Sequence, residues 1–223
     1  MIKLIIFDWD DVFTLGSKEG YITCLHETLS EIGVHISHDD MLRAILPIWS
    51  NPHRDQLELF LRDQPDLLDH ACDVYEKKFF GDTFVGSLSM VPGGNDLLKR
   101  LNGKYLLAVA TGAHPTLLRE RIMPKFGVPD VFAQIVSGYD IDDIEKQKPH
   151  PYMLEKIMQD QGVSPGETVF VGDAKTDVQM ARNARVTPIV VLTGHLTRGE
   201  ADDLGVNYVA KSVADLEPIL TRL

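Results

Sequence analysis

The chain has 223 residues, of which 44% are hydrophobic and 25% charged, a composition that suits one soluble domain or a core carrying an insert. Its formal net charge of −11, from 22 basic against 33 acidic residues, argues against nucleic acid and anionic membranes as partners, because both need basic surface. An anionic ligand must find its positive charge locally, in a metal, a few lysines or backbone N–H groups.

Cys24 and Cys72 lack CxxC spacing, which argues against a disulfide scaffold or a thiolate zinc site and fits reduced thiols in a cytoplasmic protein. No apolar run approaches the roughly 20 residues needed to span a bilayer. The opening MIKLIIFD is too short and ends too acidic for a signal peptide, so it is expected to be a buried first strand. That apolar run, residues 2–7, ends in Asp8, Asp10 and Asp11, with Trp9 between the first two. Two carboxylates about 4 Å apart repel by roughly 4 kcal/mol at an effective dielectric near 20. Such a cluster needs water, a cation or a chemical use.

Residues 18 to about 86 show no strand pattern. Their periodicity predicts helices over 19–32, 39–49, 54–63 and 65–80, with Ser37 and Asp40 marking a helix start and Gly33 and Gly81 marking stops. The block is too long for a crossover connection. It reads as a helical subdomain, 16–87, inserted into a core made of 1–15 and 88–223. In that core, apolar runs at 105–110, 134–136, 168–171, 189–192 and 208–209 alternate with helical patterns at 95–102, 115–125, 151–161, 175–184 and 213–221. Strands that are apolar on both faces belong in a parallel sheet covered by helices. The predicted fold is a doubly wound, Rossmann-like α/β core with an inserted helical cap.

The polar residues stand at the ends of these strands. Asp8 and Asp10 follow the first, Thr111-Gly112 the second and Gly172-Asp173 the run 168–171; Lys148 precedes the helix near Pro151, and Asp177 lies one turn beyond Asp173. Open α/β sheets bind ligands at the carboxyl edge, so Asp8, Asp10, Thr111, Lys148, Asp173 and Asp177 are expected to converge there. Four carboxylates, a hydroxyl and an ammonium suit phosphoryl transfer assisted by Mg²⁺, which takes hard oxygen ligands. A carboxylate can attack phosphorus while a second moves the proton.

The ordered series DWDDV (Asp8 to Val12), TG (Thr111-Gly112), KPHP (Lys148 to Pro151) and GDAKTD (Gly172 to Asp177) resembles the four motifs of the haloacid dehalogenase superfamily of phosphohydrolases. The resemblance covers essentially the whole chain, and the insert is similar to the family's helical cap of the first type. It implies Asp8 as nucleophile and Asp10 as general acid, then general base. It implies Thr111, Gly112 and Lys148 as phosphoryl-binding residues. It also implies Mg²⁺ held by Asp8, Asp173 and the Asp10 carbonyl, with Asp177 supporting the metal directly or through water. The cap would close over the substrate and exclude water. Three departures stand out: Asp11 where many members carry Gly, Val12 where Thr is common, and Arg185 at a helix end that often carries Gly, which predicts a different loop there.

Asp140, Asp142 and Asp143 read as loop charge, Asp11 as a solvated turn residue, and Met153, Met158 and Met180 as core. The eight histidines show no metal-binding spacing, so most are assigned surface or core roles. His150 reads as structural, and His114 is better placed to touch substrate. In the insert, Arg54 is the first choice to meet an anionic substrate, ahead of His53 and Lys77-Lys78. The resulting expectation is a cytoplasmic phosphatase, monomeric or homodimeric, acting on a small phosphorylated metabolite with phosphoglycolate-phosphatase-like activity. The alternatives are a phosphomutase acting on a sugar phosphate and a non-enzymatic phosphoacceptor. In the phosphoacceptor the acceptor Asp would come from a later strand, with no insert after the first. Dehalogenase chemistry is disfavoured because those members lack the second Asp, and phosphonate cleavage because Asp10 would be replaced.

Overall fold

The computed structural model describes residues 1–48 and 52–223. The chain divides into two compact units, Met1–Leu15 with Ser89–Leu223, and Gly16–Leu88.

The first unit carries strands β1 (Leu4–Phe7), β2 (Thr14–Leu15), β3 (Ser89–Met90), β4 (Leu106–Thr111), β5 (Phe132–Ser137), β6 (Thr168–Gly172), β7 (Thr187–Val191) and β8 (Tyr208–Ala210). Six of them form one sheet in the order β5-β4-β1-β6-β7-β8, and every pairing is parallel. β1 is central because all four of its side chains are apolar: Leu4, Ile5, Ile6 and Phe7 are fully buried, as a sheet covered on both faces demands. The chain runs outward from β1 through β4 to β5, then returns to the other side of β1 for β6, β7 and β8. The strand order therefore reverses beside β1, and its carboxyl end opens on the crevice where such sheets take ligands. β2 and β3 pair antiparallel as a two-residue ribbon. Two residues are too few to show an alternating pattern, so the sequence did not signal them.

The helical unit contains α1 (Ser17–Glu31), α2 (His38–Ile45), α3 (His53–Phe60), α4 (Leu68–Phe79) and α5 (Asp82–Ser87). Ser37 caps α2 as expected, its hydroxyl accepting from the Asp40 N–H, and Gly33 takes φ 84° after α1. The predicted helix 39–49 is shorter: Pro47 cannot donate to the ladder, and the chain tightens to a 3₁₀ turn at Leu46–Ile48. Trp49 lies outside the described residues. Helix 65–80 likewise begins as a 3₁₀ turn, Pro65–Leu67, before α4. The unit is held by an aromatic group in which Tyr21 stacks on Phe79 at 5.4 Å and tilts against Phe84 at 4.8 Å.

The core helices are α6 (Gly94–Leu101), α7 (Pro115–Leu117), α8 (Met123–Lys125), α9 (Tyr152–Gln161), α10 (Lys175–Asn183), α11 (Arg198–Asp203) and α12 (Glu217–Leu220). The predicted helix 115–125 is broken by a π-helical stretch, Leu118–Ile122. Pro124 lacks an N–H and its ring crowds the carbonyl one turn back, which a wider turn accommodates. Met153, Met158 and Met180 are core residues, packed with Ile6, Leu154, Ile157 and Phe170.

Candidate active site

The motifs of Asp8, Thr111 and Asp173 sit at the carboxyl edge because the residues before them are locked into the sheet, whereas Lys148 comes from the loop before α9. Asp8 follows β1, where its backbone N–H donates to the Val171 carbonyl at 2.8 Å. Lys148 Nζ lies 2.8 Å from Asp8 Oδ2 and 2.9 Å from Asp177 Oδ1, and the three side chains are nearly closed to solvent. The other Asp8 oxygen accepts the Trp9 N–H at 2.7 Å. Trp9 itself is fully buried, its ring 5.2 Å from that of Phe13 and 6.3 Å from that of Phe132. The residue between the carboxylates thus anchors their loop in the core.

Asp177 closes the first turn of α10. Its Oδ2 accepts the backbone N–H groups of Asp173 at 3.0 Å and Ala174 at 3.1 Å. Both of its oxygens are thereby committed, one to the turn and one to Lys148. Carboxylate oxygens of Asp8, Asp173 and Asp177 all lie within 4.8 Å of one another. Three buried carboxylates against one ammonium leave an excess of negative charge. Burial pushes Asp8 up to about 7; Lys148 opposes the shift, and Asp177 and Asp173 add to it. Burial would lower Lys148, but Asp177 and Asp8 outweigh it and hold the ammonium above its ordinary range. The donor set fits a hard divalent cation, which would offset the excess charge.

Thr111 is fully buried at the end of β4, and its Oγ1 accepts the Ala113 N–H at 3.1 Å, which leaves its own O–H as a donor. A Cβ added at Gly112 would meet nothing within 4 Å, so backbone there stands open to a ligand. Asp10 is half-buried, with Oδ1 accepting from Thr14 Oγ1 at 3.4 Å. Among the described residues its carboxylate belongs to neither of the acidic groups close enough to share a cation. Arg54 lies in the helical unit, where its guanidinium pairs with Asp69 at 2.7 Å. There too His53 faces Glu76 at 3.7 Å, and Lys78 is taken by Glu31 at 2.8 Å.

Two features escaped the sequence reading. His195, grouped with histidines of no special role, donates its backbone N–H to Asp173 Oδ2 at 2.9 Å and sets Nδ1 2.8 Å from the same oxygen. The available signal was position: His195 follows β7 at the same carboxyl edge. The second feature is Tyr139, whose ring lies 4.8 Å from that of His114. Thr111 and Ser137 are register partners at the ends of β4 and β5, and the buried Ser137 hydroxyl donates to the Ala113 carbonyl at 2.7 Å. The loops carrying His114 and Tyr139 are therefore fixed to each other on the rim that carries Thr111. His150 is structural as expected, its Nδ1 accepting the Tyr152 N–H at 3.2 Å.

Residues 2–185 match the family of haloacid dehalogenase-like hydrolases. The chain belongs to that family. Haloacid dehalogenase-like relatives of defined name include the phosphoglycolate phosphatase of Escherichia coli K12, 29% identical over 144 residues, or 64% of this chain and 56% of that protein. Pyrophosphatase PpaX of Halalkalibacterium halodurans is 36% identical over 121 residues, 52% of each chain. The alignable stretch spans about half the length of these curated relatives. Among solved structures, a β-phosphoglucomutase-like protein of Thermotoga maritima, so described provisionally, superposes with a TM-score of 0.81 at 19% identity over all of both chains. A haloacid dehalogenase-superfamily hydrolase of Geobacter sulfurreducens superposes with a TM-score of 0.75 at 23% identity, over 98% of this chain and 96% of that one. At these identities the superpositions establish the shared fold.

Proposed function

We propose that this chain is a Mg²⁺-dependent phosphatase that hydrolyses a small phosphorylated metabolite through an aspartyl-phosphate on Asp8. The observation that carries the reading is the buried bridge of Lys148 between Asp8 and Asp177, with the Asp173 carboxylate within 4.8 Å of both acids.

Asp8 attacks phosphorus, the bond from phosphorus to the leaving oxygen breaks, and Asp10 gives that oxygen its proton. Water then attacks the aspartyl-phosphate, Asp10 takes back a proton, and the bond from Asp8 to phosphorus breaks to release phosphate. Asp10 suits this exchange because it is half-buried, and so meets solvent, where Asp8, Asp173 and Asp177 are buried. Thr111, through its O–H, and Lys148, through its ammonium, hold phosphoryl oxygens where charge must be stabilised. Asp8, Asp173 and the Asp10 carbonyl would hold Mg²⁺, which supplies positive charge at the same oxygens. Asp177 orients Lys148 and the turn that carries Asp173.

The named relatives support a small phosphate ester or anhydride as substrate, and phosphoglycolate is the first candidate. The test is phosphate release from a panel holding phosphoglycolate, pyrophosphate and hexose phosphates, with Mg²⁺ and then with EDTA. Release that EDTA stops and Mg²⁺ restores is expected. Turnover unaffected by chelator would remove the metal, and isomerisation of a hexose phosphate without net phosphate release would replace hydrolysis by a mutase reaction.

A further inference from the structure

The turn after β7 reads Thr193, Gly194, His195, Leu196, and all four residues bear on Asp173 or its neighbours. Leu196 donates its N–H to the Asp173 carbonyl at 2.9 Å. His195 gives its backbone N–H to Asp173 Oδ2 at 2.9 Å, with Nδ1 2.8 Å from that oxygen. Gly194 passes so close that a Cβ there would lie 1.9 Å from Asp173 Oδ2. Thr193 Oγ1 donates to the carbonyl of Asp11, which ties the turn to the loop after β1. Leu196 anchors the other end by packing with Val178 and Val190.

Resting on the metal reading above, we propose that residues 193–196 form a clamp that presents Asp173 to a divalent cation, with His195 as the positioning residue. Two donors converge on one carboxylate oxygen, which fixes both side-chain torsions of Asp173. Among the described residues no group donates to Oδ1, so that oxygen keeps its lone pairs for the ion. A single, fixed oxygen suits Mg²⁺, which demands near-octahedral geometry, whereas a freely turning carboxylate would pay that ordering on binding. The imidazole does not sit there to be buried: the His195 side chain is 64% exposed, against 3% for Asp173. Its contribution is the bond from Nδ1–H, which the neutral ring can already make when its proton is on that nitrogen. Partners of this kind orient metal ligands, and their removal typically costs 10–100-fold in metal affinity.

The experiment is calorimetric titration of Mg²⁺ into the wild-type protein, His195→Ala and His195→Asn, with thermal midpoints recorded in EDTA. Ala is expected to weaken Mg²⁺ binding about 10–100-fold. Asn, whose amide can donate to the same oxygen, should recover most of the loss. The metal-free midpoints should agree, since the ring is largely exposed. Equal affinity in the wild type and His195→Ala would overturn the clamp while leaving the metal reading intact. An equal loss in Ala and Asn, or a marked fall of the metal-free midpoint in Ala, would overturn it as well. A wild-type protein that takes up no Mg²⁺ would overturn the metal reading itself, and this inference with it.

Discussion

Gly172 and Gly194 are set by the carboxylates they touch. A Cβ on Gly172 would lie 2.4 Å from Asp177 Oδ2 and 2.6 Å from its Cβ and Cγ, and Asp177 cannot retreat without releasing Lys148 or its backbone donors. Gly172→Ala is therefore expected to cost about 1–3 kcal/mol of stability, the usual penalty for overpacking, and to lower activity sharply; denaturant unfolding and phosphate release check the two parts. Arg185 makes the opposite case. It stands where a glycine is common and was expected to change the loop, yet it adopts the same left-handed backbone, φ 59°. Asp11, the other replacement for glycine, is also left-handed at φ 56°, a conformation that Asp tolerates through its short polar side chain. Left-handed backbone costs an ordinary residue roughly 1–2 kcal/mol, and glycine gives part of that back through unfolded-chain entropy. Arg185→Gly should therefore be neutral to stabilising by about 1 kcal/mol, and Arg185→Val clearly destabilising, in the same unfolding assay. At this scale Asp8, Thr111 and Asp173 were legible because each follows an apolar run, and Lys148 and Asp177 because they complete the ordered motifs KPHP and GDAKTD. His195 and Tyr139 were not, because their roles depend on which loops meet in space. Tyr139, 60% exposed yet fixed beside His114, faces the rim that carries Thr111. Tyr139→Ala should raise KM for the substrate with little change in thermal midpoint, whereas an unchanged KM would remove it from the substrate's path.

Among the elements, β1, β4, β6 and β7 were readable as apolar runs because a strand buried on both faces has no polar positions to disguise it. β5 showed only its residues 134–136 in the sequence, because its outer position leaves Ala133, just before them, exposed. α11 was missed: its six residues, Arg198–Asp203, bury only Ala201, so they carry no apolar stripe. The start of β1 is tied to the turn before β6 by Lys3 and Glu167, 2.5 Å apart, and the Lys3 N–H also donates to the Glu167 carbonyl at 2.8 Å. The bond from Lys3, with that from Ser164, pulls the Glu167 carboxyl down to about 2 from an ordinary 4.5. A depressed folded-state value means that the unfolded chain takes up the proton first as pH falls. The contribution is whole above about pH 4.5 and is lost on the way to about pH 2. Glu167→Gln should therefore flatten the acid side of the stability profile across that window, with its difference from the wild type present at neutral pH and gone near pH 2. An unaltered acid limb in thermal melts would show that the pair contributes nothing to it.

At the scale of the molecule, what matters is that the strand order reverses beside β1. Asp8 and Asp173 lie 165 positions apart in sequence and Lys148 falls between them, yet β1 and β6 are register partners, Phe7 opposite Val171, so the residues that follow them emerge side by side. That convergence was legible from the β-α alternation alone, since parallel strands share one carboxyl edge. Which carboxylates would pair with Lys148 and which would be left for a cation was not, because it depends on the turn of α10 and on the loop after β7. In each unit, as among all the described residues, no helix is long and apolar enough to cross a membrane. The proposed chemistry depends first on Asp8 as the nucleophile. The direct measurement is phosphate release by Asp8→Asn against the wild type, at equal folded concentration with Mg²⁺ in excess. The amide keeps the size of the side chain but cannot attack phosphorus, so release should fall to background. Turnover within a few-fold of the wild type would contradict the claim.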